Sequence, residues 1–142
     1  GEIGKIAIDG SDNQVITTVA SGLNNPGHIV LDSTHVYWIE ETGGVLKKVP
    51  KTGGTEPEIL MPGLINPHAL AVDDTHVYWT EGDLLDTLGS GSIKKMPKDG
   101  VAVVTLASGL NGPNDIIVDA ASVYWTETVV ELLGGVVKKA PK

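Results

Sequence analysis

The sequence predicts an all-β chain assembled from repeated short sheets. Three observations carry that reading: a tripled central segment, two further markers in the same register, and the lack of helical spacing. Val36-Tyr37-Trp38-Ile39-Glu40 returns as Val77-Tyr78-Trp79-Thr80-Glu81 and as Val123-Tyr124-Trp125-Thr126-Glu127, 41 and 46 residues apart from Trp to Trp. Gly22-Leu23-Asn24-Asn25-Pro26 recurs with the same spacings as Gly63-Leu64-Ile65-Asn66-Pro67 and Gly109-Leu110-Asn111-Gly112-Pro113. Lys47-Lys48-Val49-Pro50-Lys51 recurs at Lys94 to Lys98 and at Lys138 to Lys142, and Gly1-Glu2-Ile3-Gly4-Lys5 resembles Gly91-Ser92-Ile93-Lys94-Lys95, which makes a fourth copy of that segment. No stretch of a dozen residues places apolar side chains at i, i+3 and i+4, so helices are not expected.

Each unit divides into four strands, because β-rich runs alternate with Gly, Pro, Asn and Asp. In the first unit strand A covers Ile29 to Leu31, strand B Val36 to Glu40, strand C Val45 to Val49 and strand D Ile59 to Met61. Asp32-Ser33-Thr34-His35 joins A to B. Asp73-Asp74-Thr75-His76 and Asp119-Ala120-Ala121-Ser122 have the same length, as turns of fixed geometry should. Strands A and B carry apolar residues on both faces, so each sheet must be covered on both sides. A four-stranded repeat of about 40–45 residues stacked in this way is a β-propeller blade, and closed rings carry roughly 4–8 blades. Residues 1–142 therefore form a single propeller half of three blades, with repeat markers at 22–51, 63–98 and 109–142 and an N-terminal partial repeat at 1–21. Counting C and D, then A to D twice, then A to C gives 13 strands. That is one more than three blades use, so either residues 1–8 or residues 136–140 are surplus, frayed or exchanged across a seam.

Composition narrows the function classes. A chain of 142 residues predicts one domain. No apolar run approaches the roughly 18 residues of a membrane helix, so no membrane span is expected. The net charge is −8, and all ten basic residues are Lys. Without Arg the chain lacks the fork that reads phosphate and guanine, and nucleic acid is a poor partner. Cysteine is absent, which excludes disulfides, thiolate metal sites and a Cys nucleophile. Gly1 stands where an initiator Met would, with no leader ahead of it, so the chain is expected to be processed, tagged or cut from a longer one.

At Pro67-His68-Ala69-Leu70-Ala71-Val72-Asp73 and Tyr78-Trp79-Thr80-Glu81, with Asp9-Gly10 and Asp99-Gly100, the chain resembles the YWTD-type propeller repeats. It places Glu40, Glu81 and Glu127 where that family has Asp, and Lys-Lys-x-Pro-Lys on strand C looks like bacterial propeller repeats of unassigned role. The resemblance implies six blades and a secreted or periplasmic setting. It is shared by ligand-binding receptors, lactonase-like enzymes and plain scaffolds. If the ring has six blades, two chains of three are expected to close it as a homodimer about a two-fold axis; the competing explanation is that the 142 residues are half of a longer natural ring, or an engineered fragment of one. The dimer's blade-on-blade seams would bury Trp38, Trp79 and Trp125 with Tyr37, Tyr78 and Tyr124.

Candidate site residues cluster at the start of strand A, which is innermost in propellers. His28, His68, Asn114 and Asp115 differ between blades and face the channel mouth. They suit a small polar ligand or a divalent metal on the ring axis, His, Asn and Asp being ligands for zinc or calcium. The bland alternative is that they line a water-filled channel and hydrogen-bond to strand ends. His35 and His76 read as exposed turn residues. Glu40, Glu81 and Glu127 recur in every blade, which favours bonding of strand ends over acid–base chemistry. The B–C loops carry Glu41, Asp83, Asp86 and Glu131 as an acidic rim. They also carry Leu84, Leu85, Leu88, Val129, Val130, Leu132 and Leu133, as mutual packing or as a partner-binding lid. The Lys pairs 47/48, 94/95 and 138/139 read as solvated stems on strand C. No phosphate loop, nucleophile elbow, EF-hand or His-Glu-x-x-His is present.

These readings leave three functions in play. The first is a non-enzymatic scaffold or interaction module with no cofactor that self-assembles into a closed ring. The second is a metal-dependent lactonase- or lyase-like enzyme using the axial His, Asn and Asp residues. The third is a lectin or peptide binder using the loop rim. The residues name no catalytic group, and the small ligand or protein at the channel face is unspecified.

Overall fold

The computed structural model describes residues 1–8, 15–83, 89–100, 102–129 and 134–142. Leu84, Leu85, Asp86, Leu88, Val130, Glu131, Leu132, Leu133 and Asp9-Gly10, singled out above, lie outside the described residues. Thirteen strands are described, in the order the repeat count requires. The N-terminal pair is β1 (Glu2–Lys5) and β2 (Thr17–Ser21). Blade I follows as β3 (Pro26–Leu31), β4 (His35–Glu40), β5 (Val45–Pro50) and β6 (Glu58–Met61). Blade II is β7 (Pro67–Val72), β8 (His76–Glu81), β9 (Gly91–Pro97) and β10 (Val104–Leu110). Blade III comprises β11 (Pro113–Val118), β12 (Ser122–Val129) and β13 (Gly134–Pro141).

All four sheets are antiparallel, and each connects neighbouring strands in sequence order. Blades I and II hold strands A to D, blade III holds A to C, and β1 and β2 pair as C and D. Strand A begins at proline, three residues earlier than the β-rich run indicates. Pro26, Pro67 and Pro113 pair with Glu40, Glu81 and Glu127, then an irregularity carries each strand past two residues before the ladder resumes. Past that break His28 is half-buried and Asp115 exposed, while Ala69 at the matching place is buried.

The Gly-Leu-x-x-Pro marker is a backbone device. Gly22, Gly63 and Gly109 have φ of 70°, 74° and 72°, and a Cβ there would meet nothing within 4 Å. Conformation, not space, requires glycine. Three residues on, Asn25, Asn66 and Gly112 are also left-handed, just ahead of the proline that starts strand A. Asn and Gly are the residues that tolerate that region.

The core is a chain of seams between consecutive sheets. Ile3, Val19, Ala20 and Leu23 of the N-terminal pair cover Val36, Trp38 and Val49 of blade I. Tyr37, Ile39, Leu46 and Leu60 on the opposite face of blade I meet Leu70, Val77, Trp79 and Met96 of blade II. Ala69, Tyr78, Ile93 and Leu110 then meet Ile116, Val123 and Trp125 of blade III. All three tryptophans are thus buried at seams within the chain. Their neighbours Tyr37 and Tyr78 are buried likewise, whereas Tyr124 is half-buried on the open face of blade III.

The two seams between blades are also fastened by charged locks at the A–B turns. Asp32 accepts hydrogen bonds from the amides of Thr34 and His35 at 2.7 and 2.8 Å, from Tyr37 Oη at 2.9 Å and from Lys98 Nζ of blade II at 2.6 Å. Asp73 repeats the set with Thr75, His76, Tyr78 and Lys142 of blade III. Burial raises the Asp32 carboxyl, but Lys98, the two amides and Tyr37 outweigh it and hold the group far below the ordinary carboxylate range. Asp73 is lowered for the same reasons, with Lys142 as its cation. Burial and the adjacent carboxylate raise the Tyr37 and Tyr78 hydroxyls well above their ordinary value.

Trp79→Ala is expected to lose about 3–5 kcal/mol in denaturant unfolding, because it empties the seam between blades I and II. A carboxyl lowered by folding adds stability above its unfolded pKa of about 3.9 and loses it as pH falls further. Unfolding followed from pH 7 to pH 2 should therefore show stability dropping below about pH 4. Lys98→Met should be less stable at pH 7 by about 1–3 kcal/mol and show a shallower acid decline.

Candidate functional site

The innermost strands β3, β7 and β11 lie side by side, so residues at their starts share one rim. His28 is on the irregular step of β3. Its Nδ1 accepts the amide hydrogen of Leu70 at 3.1 Å, which bridges blade I to blade II and leaves the ring proton on Nε2. That Nε2 lies 3.8 Å from Asp115 Oδ1 of blade III, at the edge of a shallow groove floored by Leu70, Ile116 and Val118. Asp115 is held in turn: its amide donates to Thr126 Oγ1 at 3.0 Å and its Oδ1 accepts the Ile116 amide at 2.9 Å.

The other two candidates turn away. His68 Nε2 lies 2.7 Å from the carbonyl oxygen of Gly82 in the following B–C loop of its own blade. Asn114 is exposed, and its carbonyl oxygen, not its side chain, accepts from Thr80 Oγ1 at 3.2 Å. Within one chain, His28 and Asp115 are brought together while His68 is committed elsewhere. Among the described residues no three His, Asp or Glu side chains converge on a common point. The pair is an acceptor next to a donor, able to hold a small polar group across the A-strand groove.

Several other residues have partners that the sequence did not disclose. Glu40, Glu81 and Glu127 are buried, and the expected bond to a strand end is present at Glu127, which accepts the amide of Asn111 just past β10 at 3.3 Å, but each also has side-chain partners. Glu81 accepts from Trp79 Nε1 at 2.7 Å and Lys94 Nζ at 2.6 Å, and Glu127 from Trp125 Nε1 at 2.8 Å and Lys138 Nζ at 2.9 Å. Glu40 takes Lys47 at 2.9 Å, while Trp38 Nε1 is buried with no hydrogen-bond partner among the described residues. These carboxylates tie strand B to strand C inside each blade. Burial raises Glu127, but Trp125, Lys138 and the Asn111 amide lower it below its ordinary value. The first Lys of each pair is therefore an ion-pair partner and not a free stem. Lys48 likewise reaches the Lys98 carbonyl at 3.0 Å. His35 and His76 are half-buried, where exposure was expected, because Nδ1 of each bonds the preceding Thr hydroxyl and each ring leans on the Tyr two residues on.

No family model matches the sequence, and no curated protein matches it. Solved structures do. The chain is similar to one in the crystal structure of a nidogen/laminin complex, at 18% identity and a TM-score of 0.77 over 98% of this chain and 54% of that one. It is similar to virginiamycin B lyase from Staphylococcus aureus at 16% identity and TM-score 0.68, covering 98% of this chain and 44% of the other. It is similar to the calcium-binding protein regucalcin from Agrobacterium tumefaciens at 16% identity and TM-score 0.61, covering 79% and 41%. The chain spans about half the length of these structures or less, and the likeness establishes its fold as part of a β-propeller.

Proposed function

We propose that the chain is a non-enzymatic scaffold of the YWTD repeat type, whose ring of six blades is completed by a second copy. The observation that carries this reading is the outer face of blade III. Ile117 is 65% and Val137 73% exposed, whereas their counterparts Ala71 and Ile93 in blade II are 7% and 0% exposed. Tyr124 and Thr126 lie on the same face, and together these residues line an open apolar pocket. A sheet with that composition requires a cover. The nidogen-like neighbour supports an interaction role for such a propeller, and the two-fold axis supplies a second identical seam.

A second reading, a small-ligand or divalent-metal site on the channel face, starts from one geometry: His28 Nε2 opposite Asp115 Oδ1 at 3.8 Å, where a small polar group suits the donor and acceptor as they stand and a cation requires the ring proton to leave Nε2. The lyase and calcium-binding neighbours make an enzyme or metal protein of this fold an explicit alternative. In a two-fold ring this pair would occur twice around the axis.

Sedimentation equilibrium of the 142-residue chain is expected to give twice the 14.8 kDa of one chain. A stable single-chain mass at micromolar concentration would reject ring closure by a second copy. Titration with zinc or calcium tests the second reading, which expects a rise in melting temperature that His28→Ala abolishes.

A further inference from the structure

Resting on the channel-face reading and choosing between its two occupants, we propose that the His28–Asp115 pair holds the hydroxyl group of a neutral, largely aliphatic molecule. The backbone of strand A sets up the pair. At the irregular step in blades II and III, two successive amides are met by side chains. In blade III the Asp115 amide donates to Thr126 Oγ1 at 3.0 Å and the Ile116 amide to Asp115 Oδ1 at 2.9 Å. In blade II the Ala69 amide likewise donates to Thr80 Oγ1 at 3.0 Å, but Ala69 has no carboxylate to offer the next residue. The amide of buried Leu70 therefore crosses the seam to His28 Nδ1 at 3.1 Å. His28 and Asp115 cap equivalent amides in neighbouring blades.

Those caps fix what the pair presents. With Nδ1 engaged as an acceptor, His28 Nε2 can only donate. Asp115 Oδ1, oriented by the Ile116 amide, keeps a second lone pair. The two atoms are 3.8 Å apart, too far to bond each other. One oxygen about 2.8 Å from each completes the bridge, accepting from Nε2 and donating to Oδ1. The bridging group must be donor and acceptor at once, as a hydroxyl is. A carboxylate has no hydrogen to give and meets Asp115 with like charge. An ammonium group has no lone pair for the Nε2 hydrogen. A metal ion needs the Nε2 lone pair, where the ring hydrogen now sits. Calcium in addition takes about six to eight oxygen ligands. His68 is engaged with Gly82, and no third His, Asp or Glu among the described residues joins the pair. The donor set does not fit the ion for which the regucalcin neighbour is named.

The surroundings define the rest of the ligand. The groove beside the pair is walled by Val30 and Leu31 of blade I, Leu70 and Val72 of blade II, and Ile116 and Val118 of blade III. His28 and Asp115 are the only titratable side chains among the described residues that line it. A charged or strongly polar body would give up water there without gaining partners, whereas an aliphatic body buries apolar area against aliphatic side chains. The bonds that build the site run between consecutive blades, from Leu70 to His28 and from Asp115 to its own strand.

Nuclear magnetic resonance of the isotope-labelled chain tests the assignment, with cyclohexanol, cyclohexanecarboxylate, cyclohexylamine and zinc as probes. Before any probe is added, the His28 ring is expected to carry its hydrogen on Nε2, and a hydrogen on Nδ1 overturns the proposal. Cyclohexanol is expected to shift the Leu70 and Ile116 amide signals saturably. The carboxylate and the amine share its ring and are expected to bind about tenfold more weakly, and zinc to leave these signals in place. Asp115→Ala should weaken cyclohexanol about tenfold through loss of one hydrogen bond to a charged group. Asp115→Asn keeps an acceptor at Oδ1 and the cap on Ile116, and it should retain most of the affinity because a neutral occupant does not need the charge. If zinc or the amine binds instead, and Asp115→Asn abolishes that binding, the hydroxyl assignment is overturned while the channel-face reading stands. If no probe moves these signals, both are overturned.

Discussion

Every complete sheet in this molecule is apolar on both faces, and that constraint governs the rest. A one-faced sheet could stop at solvent; these cannot, so each must be pressed between two neighbours. The residues that impose it sit on strand B, where Trp38 and Trp79 face the preceding sheet and Tyr37 and Tyr78 the following one. Because adjacent residues on a strand point to opposite faces, the Tyr-Trp dipeptide alone commits a strand to two seams.

The locks at the A–B turns have a different logic. Burying an ion pair is weak evidence for stability in itself, since desolvation opposes the Coulombic gain. Here the carboxylate is fully occupied by two amides, a phenol and an ammonium group, so few of its lone pairs are left unsatisfied. What it contributes is register. Lys98 can meet Asp32 only when blade II sits at one height and one angle against blade I, and Lys142 sets blade III against blade II in the same way. The apolar seam supplies adhesion and the lock supplies alignment.

Much of this architecture was legible in the residues. The Trp, Gly-Leu and Lys markers recur in phase, and phase is a property of sequence alone, so strand order, the count of thirteen and the equivalence of positions all follow. Burial of the tryptophans followed from the two-faced pattern. The details that escaped depend on distances between strands or blades. The early start of strand A arises from an irregularity at positions 27 and 28 that no propensity encodes. Glu81 looked like a strand-end group because the reach from Trp79 Nε1 to its carboxylate is visible only once both side chains are buried together. At the rim, alignment placed His28, His68, Asn114 and Asp115 at one end, but only packing decides that His68 turns to Gly82 and His28 to Leu70. The Asp32–Lys98 pair joins residues 66 apart and was missed, although the matching recurrence of Asp and Lys in each unit was a usable signal.

The seams join only sheets that are consecutive along the chain, and this has an evolutionary corollary. Such a molecule is nearly one-dimensional in its energetics, so its stability is close to a sum over units and their junctions. Duplicating or deleting one whole repeat in the gene would create or remove a single junction and leave every other junction as it was. The near-identity of Val-Tyr-Trp in three places is the trace such copying would leave, and the differing loop lengths show where the copies have since been free to diverge.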